Sequence, residues 1–117
     1  PLYWYNMPAI LKQYFDSVLT YGFAYGTGGD KLKGKNFVPS LTIGSPEEDY
    51  RAIGAAHFRV YEFCKNLEQT AYYTQMNYID PFYFHGTSPA LYSREQIRAR
   101  AEECAGGLTQ LLKKLGG

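Results

Sequence analysis

Apolar residues recur with helical spacing in the segment that follows Pro8. They occupy the i, i+1, i+4 and i+5 positions expected of one face of an α-helix: Ile10, Leu11, Tyr14, Phe15, Val18 and Leu19. Pro8 suits the first helical position, because its φ angle is already helical and its missing N–H costs no hydrogen bond there. The pattern therefore predicts a first helix over Pro8–Thr20, with its apolar face in the core.

Two later segments show the same periodicity. The second helix is predicted from about Tyr50 or later to about Thr74, and its apolar face comprises Val60, Cys64, Leu67 and Ala71. A last helix begins at Ser93, which forms a capping-box pattern with Gln96. Its apolar face comprises Ile97, Ala101, Cys104, Leu108, Leu111 and Leu115. Gly106 and Gly107 weaken this helix by about 1 kcal/mol each relative to alanine, which suggests a closely packed position.

Two β-rich segments lie between the helices, and each contains a proline. Asn36–Ile43 reads as one strand, although Pro39 counts against a central position in a sheet. Met76–Phe84 reads as the other strand, interrupted at Asp80-Pro81. Helices that alternate with strands indicate an α/β fold with a mainly parallel sheet. Because two strands are too few for a stable sheet of that type, residues 1–117 are expected to form the C-terminal part of a larger domain.

The segment Tyr21–Lys35 contains five glycines and is predicted to be a flexible loop. It does not fit a phosphate-binding P-loop, because Gly34-Lys35 is followed by Asn36 instead of serine or threonine. Phe23 and Tyr25 are aromatic residues on this loop, so they are candidate contact residues for a ligand or a partner.

Charge and cysteine content narrow the class of protein. The formal net charge is +1, which argues against nucleic-acid binding, since that needs a concentrated basic face. The sequence contains neither an apolar run long enough to span a membrane nor a recognisable secretory signal. Cys64 and Cys104 are far apart and match no metal or redox motif, so we expect two buried thiols in a reducing, cytoplasmic compartment and no metal site.

Aromatic residues make up 17% of the chain, and two interpretations of them are open. They can supply a large buried area in a small core, or they can form a site that stacks on a planar ligand. Ligand sites of open α/β sheets lie where a strand ends in a turn of small residues, as at Gly44-Ser45 here. Tyr50 and His57 follow that turn, although a single histidine near a helix start is usually a surface residue.

Several short stretches resemble one enzyme family. Pro1-Leu2-Tyr3-Trp4-Tyr5 with Pro8-Ala9-Ile10-Leu11-Lys12, then Gly22-Phe23-Ala24-Tyr25-Gly26, then Thr42-Ile43-Gly44, are similar to flavodoxin-like NAD(P)H:quinone oxidoreductases. Among these, the chain most resembles potassium-efflux ancillary proteins and general stress protein 14-like reductases. The resemblance implies an open parallel sheet of order 2-1-3-4-5 with FMN or FAD at the strand carboxyl ends. This chain would cover the part of that domain that follows strand 3.

The resemblance also implies roles for individual residues. One flavin loop would comprise Pro1, Leu2, Tyr3, Trp4 and Tyr5, with backbone N–H groups at the polar edge of the flavin and Trp4 beside its ring. The other would comprise Thr42, Ile43, Gly44 and Ser45, where the family usually has Thr-Thr-Gly-Gly. Tyr50 and His57 would stabilise charge on the reduced flavin. Tyr25, with Phe23, would reach the substrate pocket of a neighbouring subunit.

The activity implied is two-electron reduction of a quinone by NAD(P)H, through ping-pong hydride transfer in a homodimer. Two alternatives stay open. The chain could belong to a regulatory ancillary subunit of a potassium-efflux transporter, or it could be an inactive fragment of the reductase.

Overall fold

A parallel ribbon of two strands, each broken once, forms the centre of the structure. The structure is a computed structural model, and it describes residues 1–116. Strand β1 (Asn36–Phe37) pairs with β3 (Asn77–Tyr78), and β2 (Ser40–Thr42) pairs with β4 (Phe82–Phe84), both in parallel. The two predicted strands are therefore present, and the α/β class is confirmed.

The break in the ribbon falls where the sequence places its prolines. Pro39 and Pro81 have no N–H to donate to a ladder, so regular pairing stops at both. The register shifts by one residue across the break, because Phe37 is paired with Tyr78 before it and Ser40 with Phe82 after it. Two backbone hydrogen bonds nevertheless bridge the gap. The Ile79 N–H donates to the Phe37 carbonyl and the Phe82 N–H to the Pro39 carbonyl, each at 2.8 Å.

Four helices flank the ribbon: α1 (Ala9–Val18), α2 (Val60–Phe63), α3 (Lys65–Tyr73) and α4 (Arg94–Gly116). The predicted apolar face of the second helix is confirmed across α2 and α3, which meet at Cys64. Val60, Cys64, Leu67 and Ala71 have exposed fractions between 0% and 6%, and with Ala24 and Ile43 they make up the core of the described residues. Within residues 1–116, no helix combines the length and the apolar content needed to cross a membrane.

The second helix begins at Val60, well after the predicted start near Tyr50. The residues before it form a 3₁₀ turn (Glu47–Asp49) and a loop that folds back on that turn. The Ala56 N–H donates to the Asp49 carbonyl at 2.9 Å, and the Gly54 Cα packs directly against the same carbonyl. The helix then begins at Val60, where the Glu62 carboxylate accepts the Arg59 N–H at 2.6 Å.

The apolar face predicted for α1 is only partly in the core. Phe15 packs against Phe37 with ring centroids 6.4 Å apart, so one side of α1 rests on β1. Ile10 and Tyr14 stay 78% and 57% exposed, because no other described element covers that side of the helix. The helix was correctly predicted, but its complete burial was not.

The predicted start of α4 and the role of one of its glycines match the structure. The Ser93 N–H donates to the Gln96 side chain at 2.9 Å, and the Gln96 N–H donates back to the Ser93 hydroxyl at 3.2 Å. A Cβ atom on Gly107 would lie 2.9 Å from the Phe82 ring, whereas one on Gly106 would meet open space. Only Gly107 therefore marks close packing, between α4 and β4.

We expect Gln75→Gly to stabilise the protein. Gln75 ends α3 in the left-handed region (φ 64), where its N–H donates to the Tyr72 carbonyl and the Met76 N–H donates to the Ala71 carbonyl. This is a Schellman ending, which favours glycine because a Cβ costs roughly 1–2 kcal/mol in that conformation. The free energy of unfolding in urea should rise by about 1 kcal/mol.

The matched control is Gln69→Gly, since Gln69 is also exposed but lies inside α3. There the same substitution should lower the free energy of unfolding by about 1 kcal/mol. Equal effects at both positions would contradict the role given to the left-handed ending.

Candidate functional site

The two loops predicted to contact a flavin are adjacent in the structure. The Leu2 N–H donates to the carbonyl of Thr42, the last residue of β2, at 2.9 Å. This bond joins the opening loop (Pro1–Met7) to the second loop (Thr42–Ser45). Asn6 ties the opening loop to α3, because its side-chain oxygen accepts the Asn66 amide at 3.1 Å.

The opening loop contains a strained turn. Tyr3 and Asn6 exchange backbone hydrogen bonds of 2.9 Å around Trp4 and Tyr5, whose φ angles are 48° and 61°. Left-handed φ at both central positions defines a type I′ turn, which normally carries Asn-Gly. Bulky residues in this conformation cost roughly 1–2 kcal/mol each. Such strain persists mainly at functional sites, and Trp4 gains little from burial because it is 93% exposed.

The two loops also present unused hydrogen-bond donors. Within residues 1–116, no protein acceptor lies opposite the backbone N–H groups of Trp4, Tyr5, Gly44 and Ser45. Unpaired N–H groups in loops normally donate to water or to a ligand. The arrangement can therefore bind a molecule that carries several acceptor atoms.

Ile43 supports the second loop from inside the core. Its side chain is 1% exposed, its N–H donates to the Phe84 carbonyl at 3.0 Å, and its carbonyl accepts the Thr87 N–H at 3.2 Å. An apolar residue here, where the family usually has threonine, therefore fills the core. Gly44 and Ser45, by contrast, are half-buried at the loop surface.

Tyr50 lies half-buried beneath the second loop. Burial raises the pKa of the Tyr50 phenol above its ordinary value, and the nearby Ser45 side chain offsets part of that rise in pKa. The phenol therefore keeps its proton throughout the neutral range and remains a hydrogen-bond donor.

His57 is exposed and lies in the loop before α2, with a φ angle of 63°. Its N–H donates to the Gly54 carbonyl at 3.0 Å. The aromatic neighbours of Tyr50 are two other residues, Phe63 at 5.9 Å and His85 at 5.4 Å between ring centroids. A joint role for Tyr50 and His57 stays a prediction.

Phe63 and His85 are the site residues that the sequence did not reveal. Phe63 stacks on Tyr5 at 5.3 Å and makes edge contacts with Tyr50 and Phe58 at 5.9 Å, so it connects the opening loop to the residues after β2. His85 could have been found as the first residue after β4, since the carboxyl ends of neighbouring parallel strands lie at one edge.

Phe23 and Tyr25 lie on a folded loop, although the glycine content predicts a flexible one. The buried Ala24 anchors it, and the Gly22 N–H closes a turn on the Tyr25 carbonyl at 2.8 Å. Tyr25 packs on Tyr21 and Tyr73 of its own chain, with ring centroids 5.7 Å and 5.6 Å apart. Phe23 stays 37% exposed and is the more accessible of the pair.

Comparison with known proteins identifies the family. A family model described as the flavodoxin-like fold matches residues 1–107. The chain belongs to the flavodoxin-like family. This confirms the predicted resemblance and fold, to which the parallel strands and flanking helices conform.

Relatives and solved structures show the same affiliation. The uncharacterized NAD(P)H oxidoreductase YdeQ of Bacillus subtilis is 48% identical over 82 residues, covering 70% of this chain and 42% of that protein. General stress protein 14 of Treponema denticola, solved in complex with FMN, superposes with a TM-score of 0.81 at 40% identity, covering 95% of this chain and 62% of that one. An NADPH-quinone reductase of P. pentosaceus gives a TM-score of 0.75 at 29% identity, covering 89% of this chain and 60% of that one.

The chain thus spans between two fifths and about three fifths of the length of these three proteins. Its described residues contain the two adjacent loops and the aromatic cluster around Phe63.

Gly86→Ala should destabilise the protein more than Gly28→Ala. Both glycines have left-handed φ angles, of 76° and 75°, but a Cβ meets nothing at Gly28 and collides with the Arg100 guanidinium at Gly86. Arg100 cannot move freely, because it donates to the Gly86 carbonyl at 2.9 Å and stacks on Tyr92 at 4.1 Å. We expect the free energy of unfolding to fall by about 2 kcal/mol in Gly86→Ala and by about 1 kcal/mol in Gly28→Ala.

Gly28→Ala therefore measures the cost of the backbone conformation alone. Equal losses in urea unfolding would show that the Arg100 contact with the loop after β4 has no energetic consequence.

Proposed function

We propose that the full-length protein is a flavin-dependent NAD(P)H oxidoreductase that binds FMN against the opening and second loops and reduces a quinone. The observation that carries this proposal is the strained Trp4-Tyr5 turn, with its unpaired N–H groups, next to the second loop. The FMN complex of the Treponema denticola relative supports FMN over FAD as the cofactor.

The described residues fit a flavin by their donor chemistry. The pyrimidine edge of a flavin carries several acceptor atoms, which match the free N–H groups of Trp4, Tyr5, Gly44 and Ser45. The exposed indole of Trp4 offers an aromatic face for the planar ring. In this proposal Leu2 and Thr42 fix the distance between the two loops, while Pro1, Tyr3 and Ile43 hold them in place.

Bound FMN supplies the chemistry of accepting a hydride and passing two electrons to an acceptor. The residues of this chain would act electrostatically, because a reduced flavin carries negative charge near its pyrimidine edge. The protonated Tyr50 phenol can donate a hydrogen bond to that charge, and the exposed His57 imidazole can do so from the loop before α2. Donors fixed in advance need no rearrangement when the charge develops.

A second copy of the chain is part of the proposal. Phe23 and Tyr25 lie on a folded loop, on which Tyr25 contacts two exposed aromatic side chains, Tyr21 and Tyr73. Exposed aromatic surface of this kind suits a homodimer, in which Tyr25 and Phe23 would contact substrate in the partner's site.

The test is made on the full-length protein. It should bind FMN in a fluorescence titration and oxidise NADPH or NADH when a water-soluble benzoquinone is added. His57→Ala should lower kcat for quinone reduction by roughly tenfold or more, as expected for the loss of a charge-stabilising donor. A protein that binds no added FMN contradicts the proposal, and an unchanged kcat in His57→Ala removes only the role of His57.

Trp4→Asn separates strain from binding. Asparagine tolerates the left-handed conformation, and the Trp4 side chain is 93% exposed, so the free energy of unfolding should rise by about 1 kcal/mol. The affinity for FMN should fall, because the indole face is lost. Urea unfolding without FMN and fluorescence titration with FMN measure the two effects, and a variant that gains stability without losing affinity would contradict the assigned role of Trp4.

The regulatory-subunit and inactive-fragment alternatives stay predictions. Co-purification of the full-length protein with a potassium transporter, together with altered ion flux on deletion, would favour the regulatory role. Quinone reduction by the purified protein would exclude the inactive-fragment alternative.

A further inference from the structure

The loop after β4 is the support of the second loop. Three successive N–H groups, of Gly86, Thr87 and Ser88, donate to the carbonyls of Ser45, Ile43 and Gly44 at 3.3, 3.2 and 3.2 Å. The carbonyls of Ile43, Gly44 and Ser45 therefore face this supporting loop. The N–H groups of Gly44 and Ser45 in the second loop have no acceptor among residues 1–116 and stay available to a ligand.

His85 adds a side chain to this support. Its Nδ1 lies 3.2 Å from the Ser45 carbonyl oxygen, and we assign a ring proton to Nδ1 because a carbonyl can only accept. Its Nε2 is buried and has no partner among the described residues. The single polar interaction of the ring is therefore the one that holds Ser45.

The His85 ring also contacts Tyr50. The ring centroids of His85 and Tyr50 are 5.4 Å apart. His85 also contacts Tyr83 edge-on, with the centroids 5.5 Å apart and an interplanar angle of 87°. The Ser45 side chain lies close enough to Tyr50 to offset part of the rise that burial causes in the pKa of its phenol. His85, Ser45 and Tyr50 are therefore neighbours of one another.

We propose that His85 is a positioning residue of the flavin site, which holds the second loop and Tyr50 in place through the Nδ1–H donation to the Ser45 carbonyl. The proposal rests on the proposed function for the identity of the ligand. The Ser45 carbonyl also accepts the Gly86 N–H at 3.3 Å, so the Nδ1–H donation is one of two hydrogen bonds that hold this carbonyl.

Two substitutions at His85 separate the hydrogen bond from ring packing. His85→Asn keeps an N–H donor near the position of Nδ1 but removes the ring. His85→Phe keeps the ring but removes the donor. In the full-length protein, we expect His85→Asn to keep the wild-type affinity for FMN within about twofold, and His85→Phe to weaken it about threefold to tenfold, the range of one net hydrogen bond.

Kinetics at saturating FMN provide a second measurement. His85→Phe should lower kcat for quinone reduction about threefold to tenfold, because the second loop and its N–H donors at Gly44 and Ser45 are then no longer held in place. KM for NADPH should stay unchanged, because in this proposal His85 acts through Ser45 and makes no contact with NADPH. His85→Phe with wild-type affinity and kcat would overturn the proposal. So would the reverse order, with His85→Phe active and His85→Asn impaired, since ring packing would then be the cause.

A measurement without flavin keeps the proposal distinct from the proposed function. In ¹⁵N-histidine-labelled protein without FMN, NMR should show a proton on Nδ1 of His85 that exchanges slowly with water. A ring proton on Nε2 alone overturns the proposal even if His85→Phe fails to fold. If the wild-type protein shows the Nδ1 proton but binds no FMN, the proposed function fails and the positioning role for a flavin fails with it.

Discussion

The hydrogen bond from the Leu2 N–H to the Thr42 carbonyl is the contact on which the candidate site depends. It adds the opening loop as a hydrogen-bonded neighbour of β2, at the residue where β2 ends. Because this bond joins Leu2 to Thr42, the turn that begins at Tyr3 lies beside the residues that follow Thr42. Two segments about forty residues apart in sequence are thereby brought together at the carboxyl end of the strands, where open α/β sheets bind ligands.

Aromatic residues connect the two sides of the candidate site. Phe63 contacts Tyr5 from the opening loop and Tyr50 from the segment after β2, so one half-buried ring links both sides of the candidate site. These stacking contacts, worth about 0.5–1.5 kcal/mol per pair, help to offset the strain in the Trp4-Tyr5 turn. Packing energy therefore maintains a backbone conformation that the local sequence disfavours.

Periodic features could be predicted from the sequence, and features set by long-range contacts could not. The buried face of Val60, Cys64, Leu67 and Ala71 follows from helical spacing alone, and the Ser93 cap follows from its capping-box pattern with Gln96. The late start of α2 depends on Gly54 touching the backbone of Asp49, which leaves no periodic signal.

Of the candidate site, the sequence showed its loops and Tyr50, through resemblance to a family. It did not show the left-handed turn, because Trp-Tyr carries none of the usual turn residues, nor the role of His85, because that depends on a neighbouring strand.

The paired proline breaks have a further consequence for how this chain behaves among other copies of itself. Parallel strands with a long, regular outer edge can recruit another chain and begin aggregation. Here β3 and β4 are two and three residues long and are separated by Asp80-Pro81. The edge formed by β3 and β4 therefore offers no continuous row of backbone N–H and carbonyl groups, and Asp80 lies in the gap between the two strands. The same prolines that shorten the ribbon protect it against the growth of intermolecular sheets.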